Sequence, residues 1–174
     1  MSAEPMQDTR PVESVTRDPW WRDAVVYQVY LRSFADGNGD GVGDFAGLRA
    51  RLPYLAELGV DAVWVTPHYV SGGADGGYDV IDYTAVDPAY GTVEDVRGLV
   101  EDAHALGLRV LLDIVPNHTS DQHQWFRTAL NDPDSPEAAR YHFRPASEEP
   151  PNNWQSMFGG PAWSRTRDRP PCSR

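Results

Sequence analysis

Lysine is absent from this chain of 174 residues, cysteine occurs once, and isoleucine occurs only as Ile81 and Ile114. The 15 basic residues are therefore all arginine; against 26 acids they leave a formal net charge of -11. So acidic a surface repels phosphate backbones, which argues against a nucleic-acid partner. The lone Cys172 has no partner for an internal disulfide, which fits a reducing, cytoplasmic compartment. No apolar run approaches the roughly 20 residues needed to cross a bilayer, so no membrane span is expected. The first 19 residues lack the apolar stretch of a signal peptide and read as a disordered polar leader. Arginine without lysine, together with scarce isoleucine, reads as codon composition rather than function.

What remains is the balance of a globular protein, 40% apolar and 24% charged, enough to bury a core. Ala24 to Leu31 (AVVYQVYL) is rich in β-branched and aromatic residues and predicts a strand. A Gly/Asp-rich loop from Asp36 to Asp44 follows. Asp44 is placed to cap a helix whose apolar face is Phe45, Leu48, Leu52, Leu55 and Leu58. Pro53 falls inside that pattern and is expected to kink or split it; Gly59 is a helix stop. Ala62 to Val65 predicts a short buried strand. Pro67 to Tyr90 reads as a long Gly-rich loop. Thr92 caps a second helix bearing Val93, Val96, Leu99, Val100 and Ala103, with Gly107 at its end. Arg109 to Val115 (RVLLDIV) predicts a third buried strand. The order strand, helix, strand, helix, strand is α/β architecture on a parallel sheet. Periodicity stops after Pro116. Residues 117–163 read as a long irregular insertion with one amphipathic piece near Trp125 to Leu130. Residues 164–174 hold four Arg, two Pro and no aliphatic residue.

Three groups of residues can carry chemistry. The first is the loop at 36–44, which offers oxygen donors at alternate positions, as hard cations such as Ca²⁺ require. It matches the opening of an EF-hand loop, but position 12 is Gly47 and a strand precedes it, which excludes an EF-hand. The other reading is a polar loop of Asx turns that caps the helix at Asp44. The second group is Asp113, Asn117 and His118 at the end of the third strand, where ligands of parallel sheets sit. A carboxylate inside an apolar strand needs a partner. Asn117 and His118 could serve a sugar hydroxyl or the metal loop, or simply form a satisfied structural turn; both readings stay open. Third, Tyr78 beside Asp79 suits carbohydrate, with a ring for C–H faces and an acid for hydroxyls. The alternative there is loop packing by Tyr83 and Ile81. His68, His104, His123 and His142 share no metal-ligand spacing and are read as structural. No nucleophile elbow, phosphate loop or zinc Cys/His set is present.

Together VVYQVYLRSFADGNGDGVGDFAGL, GGYDVIDY, DIVPNHTSDQHQWF and PNNWQSMFGGPAW resemble glycoside hydrolase family 13, the α-amylase superfamily. The likeness is to bacterial α-glucosidases and oligo-1,6-glucosidases, over about residues 20–163. NNWQSMFGGPAW favours the glucosidase branch over trehalose synthases. The resemblance implies that Asp36, Asn38, Asp40, the Val42 carbonyl and Asp44 form a structural Ca²⁺ or Mg²⁺ loop. It implies that Tyr78 is the aromatic platform under the sugar at subsite −1, and that Asp79 binds hydroxyls of the non-reducing glucose. Asp113, Asn117 and His118 match the first conserved family region, whose His bonds the C6 hydroxyl. The substrates implied are maltose- or isomaltose-type oligosaccharides.

A complete (β/α)8 barrel usually needs about 250 residues. The chain is therefore expected to hold the first three βα units of such a barrel (20–118). The start of the subdomain inserted after strand three follows (119–163), then a tail outside the family pattern (164–174), such as a frameshift or early stop would produce. The family nucleophile and acid/base are expected beyond residue 174, which leaves this chain without glycosidase activity. Three strands of eight expose both sheet edges, so the fold is expected to be marginal. Two alternatives are a non-catalytic module that binds sugar or a partner, and a second polypeptide that completes the barrel.

Overall fold

The computed structural model describes residues 19–145, 147, 149–166 and 169–173; the expected leader lies outside them except for Pro19. In chain order the elements are β1 (Val26–Val29), α1 (Leu31–Phe34), α2 (Phe45–Leu58), β2 (Ala62–Val65), β3 (Tyr69–Ser71), β4 (Val80–Val86), α3 (Val93–Ala105), β5 (Arg109–Leu112), α4 (Gln124–Asn131), β6 (Trp163–Thr166) and β7 (Arg169–Ser173).

Strands β1, β2 and β5 form one parallel sheet with β2 in the centre. The connections run through α2 and α3, as parallel neighbours require. Both helices start where the sequence caps them. The Asp44 carboxylate accepts the Gly47 N–H at 2.6 Å. Thr92 and Asp95 exchange the two bonds of a capping box. Gly59 ends α2 at φ 84°, a left-handed conformation that costs other residues more.

The register aligns Tyr27, Val63 and Val110 in one row and Val29, Val65 and Leu112 in a second. These rows face the helices. There Val29, Val63 and Val65 pack with Leu48, Leu52, Leu55, Leu99 and Ala103 in the core, each buried leucine contributing about 1.5–3 kcal/mol. The opposite face, with Gln28, Trp64 and Leu111 in one row, carries the site described below.

Several sequence expectations need correction. Helix α2 runs unbroken through Pro53. Pro53 sits on the exposed side, where the freed Arg49 carbonyl can bond water, and the packing of Phe45, Leu48, Leu52 and Leu55 outweighs a cost of ~3 kcal/mol. The first strand stops at Val29, and Leu31 begins the short helix α1 with its N–H on the Thr66 hydroxyl at 3.4 Å. The stretch read as a loop contains the antiparallel hairpin β3–β4; the glycines at 72–77 hid the β-branched run VIDYTAV. The third strand ends at Leu112 and is not buried: Leu112 is 41% and Ile114 67% exposed. Among the described residues β5 has only β2 beside it; Val110 still packs against the core, but Leu112 beyond it is left uncovered. The insertion holds α4, near its expected place, and a 3-10 turn at Pro136–Arg140. Beyond it β6 and β7 pair as a hairpin that starts at Trp163, the last residue of the expected insertion, and runs into the expected tail.

Candidate functional site

The three candidate groups resolve into one cluster and one separate loop. Asp113 follows β5 on the same face of the sheet as Trp64 and Leu111, two residues beyond Leu111. Its backbone is fixed by its N–H on the Val65 carbonyl at 3.1 Å and by the Tyr69 hydroxyl donating to its carbonyl at 2.9 Å. The expected partners of its carboxylate are present. Trp64 Nε1–H donates to Oδ2 at 3.2 Å, and the Tyr78 hydroxyl donates to the same oxygen at 3.1 Å. Burial first, then the Asp113 charge, raise the Tyr78 phenol above its ordinary value of 10.0, so it stays a donor at neutral pH.

Tyr78 is held at its other end by His118, whose Nε2 lies 3.1 Å from the Tyr78 carbonyl. Asn117 Nδ2 lies 3.2 Å from His118 Nδ1. An amide donor on Nδ1 fixes the tautomer with the proton on Nε2, which donates to Tyr78. Both His118 nitrogens are thus engaged within the protein. No hydrogen bond among the described residues joins Asn117 or His118 to the loop at 36–44.

Asp79 turns the other way. Its carboxylate accepts the N–H groups of Ala74 at 3.1 Å and Asp75 at 3.2 Å and so closes the turn between β3 and β4. That turn depends on glycine at two points. Gly77 has φ 102°, and a Cβ there would lie 2.9 Å from the Pro67 carbonyl. A Cβ on Gly72 would lie 2.5 Å from Asp79 Oδ2 and 2.8 Å from Gln122 Nε2. The Asp79 carboxylate and the Gln122 amide therefore both lie close against Gly72.

Sequence reasoning missed Trp64 and Tyr69 in this cluster and gave Tyr83 only a role in loop packing. The Tyr83 hydroxyl lies 2.6 Å from the Val115 carbonyl and 2.7 Å from that of His118, and its one proton pins the segment carrying Asn117 and His118. The signal was available, since all three are aromatic residues with a polar atom on the strands, where a buried N–H or O–H needs an acceptor.

Beneath the site His68 stacks on Tyr69 at 4.7 Å and meets Phe45 edge-on at 5.5 Å. It is buried, and its Nδ1 has no partner. Burial holds its pKa below 6.5, outweighing the Thr66 carbonyl and the Asp113 charge, which act the other way. His68 is therefore neutral when folded and gains a proton on unfolding below pH 6.5. Its contribution to stability is present above that pH and is lost as pH falls below it. The melting temperature is expected to drop between pH 7.5 and 5.5, and to drop less in His68→Phe, which keeps the ring; thermal melts at the two pH values check this.

The loop at 36–44 closes on itself. Asp36 accepts the N–H groups of Asn38, Gly39 and Gly41 at 3.1, 2.6 and 2.8 Å. Asn38 accepts that of Asp40 at 2.8 Å, and Asp40 that of Val42 at 2.8 Å. Asp44 is buried and takes the N–H groups of Gly37 and Gly47. The N–H groups of Gly41 and then Gly39 foremost hold the Asp36 carboxyl below its ordinary value. The donor set suits a hard divalent cation. As it stands, no three His, Cys, Asp or Glu side chains among the described residues converge to hold a metal.

Known proteins place this geometry in a family. The model described as "Alpha amylase, catalytic domain" matches residues 28–169, which reaches into the stretch expected to be a tail. The chain belongs to that family of glycoside hydrolases. It is 54% identical to the trehalose-6-phosphate hydrolase of Escherichia coli, 51% to the probable α-glucosidase of Rhizobium meliloti and 47% to the oligo-1,6-glucosidase of Heyndrickxia coagulans. Each match covers 83% of this chain and 26% of the relative. Among solved structures, an inactive double mutant of MutB in complex with isomaltulose superposes with a TM-score of 0.84 at 46% identity, over 89% of this chain and 28% of MutB. The chain thus spans about a quarter of the length of its relatives, and its three parallel strands are part of a β/α barrel. No helix among the described residues is long and apolar enough to cross a membrane.

Proposed function

We propose that the chain is the N-terminal portion of a retaining α-glucosidase acting on maltose- or isomaltose-type oligosaccharides, and that it supplies one wall of the glucose-binding subsite. The observation that carries this reading is Tyr78, clamped by His118 at its carbonyl and by Asp113 at its hydroxyl, beside the Asp79 carboxylate. An aromatic ring held in place next to an acid is what a sugar's C–H face and hydroxyls require. The MutB complex with isomaltulose supports the substrate class. Because both His118 nitrogens are engaged, the reading assigns His118 first to positioning Tyr78; a bond to a sugar hydroxyl would require release of the Tyr78 carbonyl.

Retaining hydrolysis needs a nucleophile and an acid/base about 5–5.5 Å apart. Asp113 is committed to Trp64 and Tyr78 and Asp79 to the turn, so neither is free for those roles. The purified chain is expected to leave a nitrophenyl α-glucoside intact. Turnover above the rate in buffer, absent from Tyr78→Ala, would show a working carboxylate pair and refute the reading.

The same proposal gives Asp36, Asn38, Asp40, the Val42 carbonyl and Asp44 to a structural Ca²⁺ or Mg²⁺. Support comes from the alternating oxygen donors and from Gly39 and Gly41 at φ 85° and 89°, which let the loop wrap. When bound, the ion would supply charge that locks the loop against the start of α2. Saturating Ca²⁺ or Mg²⁺ is expected to raise the melting temperature by roughly 5 °C, and Asp40→Ala to abolish the rise. A wild-type melt unmoved by both ions would remove the metal from the account.

A further inference from the structure

The Tyr78 backbone is held at its N–H by the Asp75 carbonyl at 2.9 Å and at its carbonyl by His118, but neither bond sets the rotation of its ring about Cα–Cβ. The ring is steadied at its hydroxyl, and that anchor is one carboxylate oxygen, Oδ2 of Asp113. A side chain leaving the end of an edge strand can rotate unless something holds it. What holds it is Trp64: its Nε1–H reaches the same Oδ2 at 3.2 Å. Trp64 lies on β2, the central strand, between Val63 and Val65, which are both fully buried. It is thus the most firmly mounted group in the cluster. We infer that Trp64 is a positioning residue of the sugar site, fixing the Asp113 carboxylate and through it the Tyr78 ring, without touching the sugar.

The inference rests on the reading of Tyr78 as the sugar platform. Two donors on one oxygen make the arrangement a coupled unit: removing either leaves the carboxylate free to turn toward the other or toward water. An indole that merely filled space would keep its role as phenylalanine. A positioning indole loses it, because the N–H carries the effect.

The test uses the full chain and maltose. In a ¹H–¹⁵N spectrum the Trp64 indole signal, assigned through bonds, is expected to shift in Asp113→Asn and in Tyr78→Phe without sugar, and to shift when maltose binds the wild type. Trp64→Phe is expected to bind maltose about three- to tenfold more weakly, since an unanchored side chain must be ordered on binding. An indole signal unmoved by Tyr78→Phe overturns the inference. So does wild-type affinity in Trp64→Phe when Tyr78→Ala has lost binding. Wild-type affinity in Tyr78→Ala overturns the platform reading instead, and the inference with it. If Trp64→Phe does not fold, the response of the Trp64 signal to Tyr78→Phe decides alone.

Discussion

Gly47→Ala is expected to destabilise the chain by about 3 kcal/mol, the upper end for overpacking. A Cβ on Gly47 would lie 2.1 Å from the Ala35 carbonyl oxygen, 2.5 Å from its carbon and 3.0 Å from the Gly37 nitrogen. All three are backbone atoms, so no side chain can swing aside. Relief requires moving α2, whose Phe45, Leu48, Leu52 and Leu55 are fully buried, or the segment that leads from α1 into the loop at 36–44. The Asp44 cap on Gly47 would be strained by either movement. Gly39 is the control: it has φ 85°, but nothing lies within 4 Å of its missing Cβ. Gly39→Ala should therefore cost only about 1–2 kcal/mol, for the left-handed backbone. Urea titrations of both variants check the ranking; equal midpoints would mean that α2 does not pack against residues 35–37 as described.

The second large effect is expected at Asp113. Asp113→Ala leaves the Trp64 N–H and the Tyr78 hydroxyl without their shared acceptor. Each half-buried donor left unpaired costs about 1–3 kcal/mol, toward the lower end where water can enter. Sugar affinity should fall further than stability, by about tenfold or more, because Tyr78 loses its anchor. Asp113→Asn keeps one acceptor oxygen and should fall between. Calorimetry with maltose, alongside thermal melts, separates the two effects. Loss of stability with unchanged affinity would make Asp113 a structural residue only.

Legibility in the sequence followed the physics of each element. The caps at Asp44 and Thr92 were readable because one side chain and one N–H three residues away decide them. The parallel sheet was readable from the apolar runs and the helices between them. The hairpin β3–β4 was not, because its pairing joins Tyr69 to Val86 across a glycine-rich turn, and the turn composition dominated the local signal. The exposure of Leu112 and Ile114 was also hidden, since an apolar run shows that a strand can be buried and not whether a neighbour covers it. At the site, the need of Asp113 for a partner was legible and the identity of that partner was not. Trp64 lies 49 positions away in the chain, and only the register of β2 against β5 brings the two together. The likeness to family 13 named Tyr78, Asp79 and His118 but not how they bond; that Asp79 closes a turn and His118 grips the Tyr78 carbonyl appears only in the folded chain.

The central claim is that this chain presents a sugar-binding wall without the means to cleave the bond. One NMR titration of the 174-residue chain with maltose reads both halves. The account predicts that the Tyr78 ring signals move in a saturable way while the disaccharide signals stay intact and no free glucose appears. Glucose released in step with the protein, or Tyr78 signals that ignore maltose at every concentration, would contradict it.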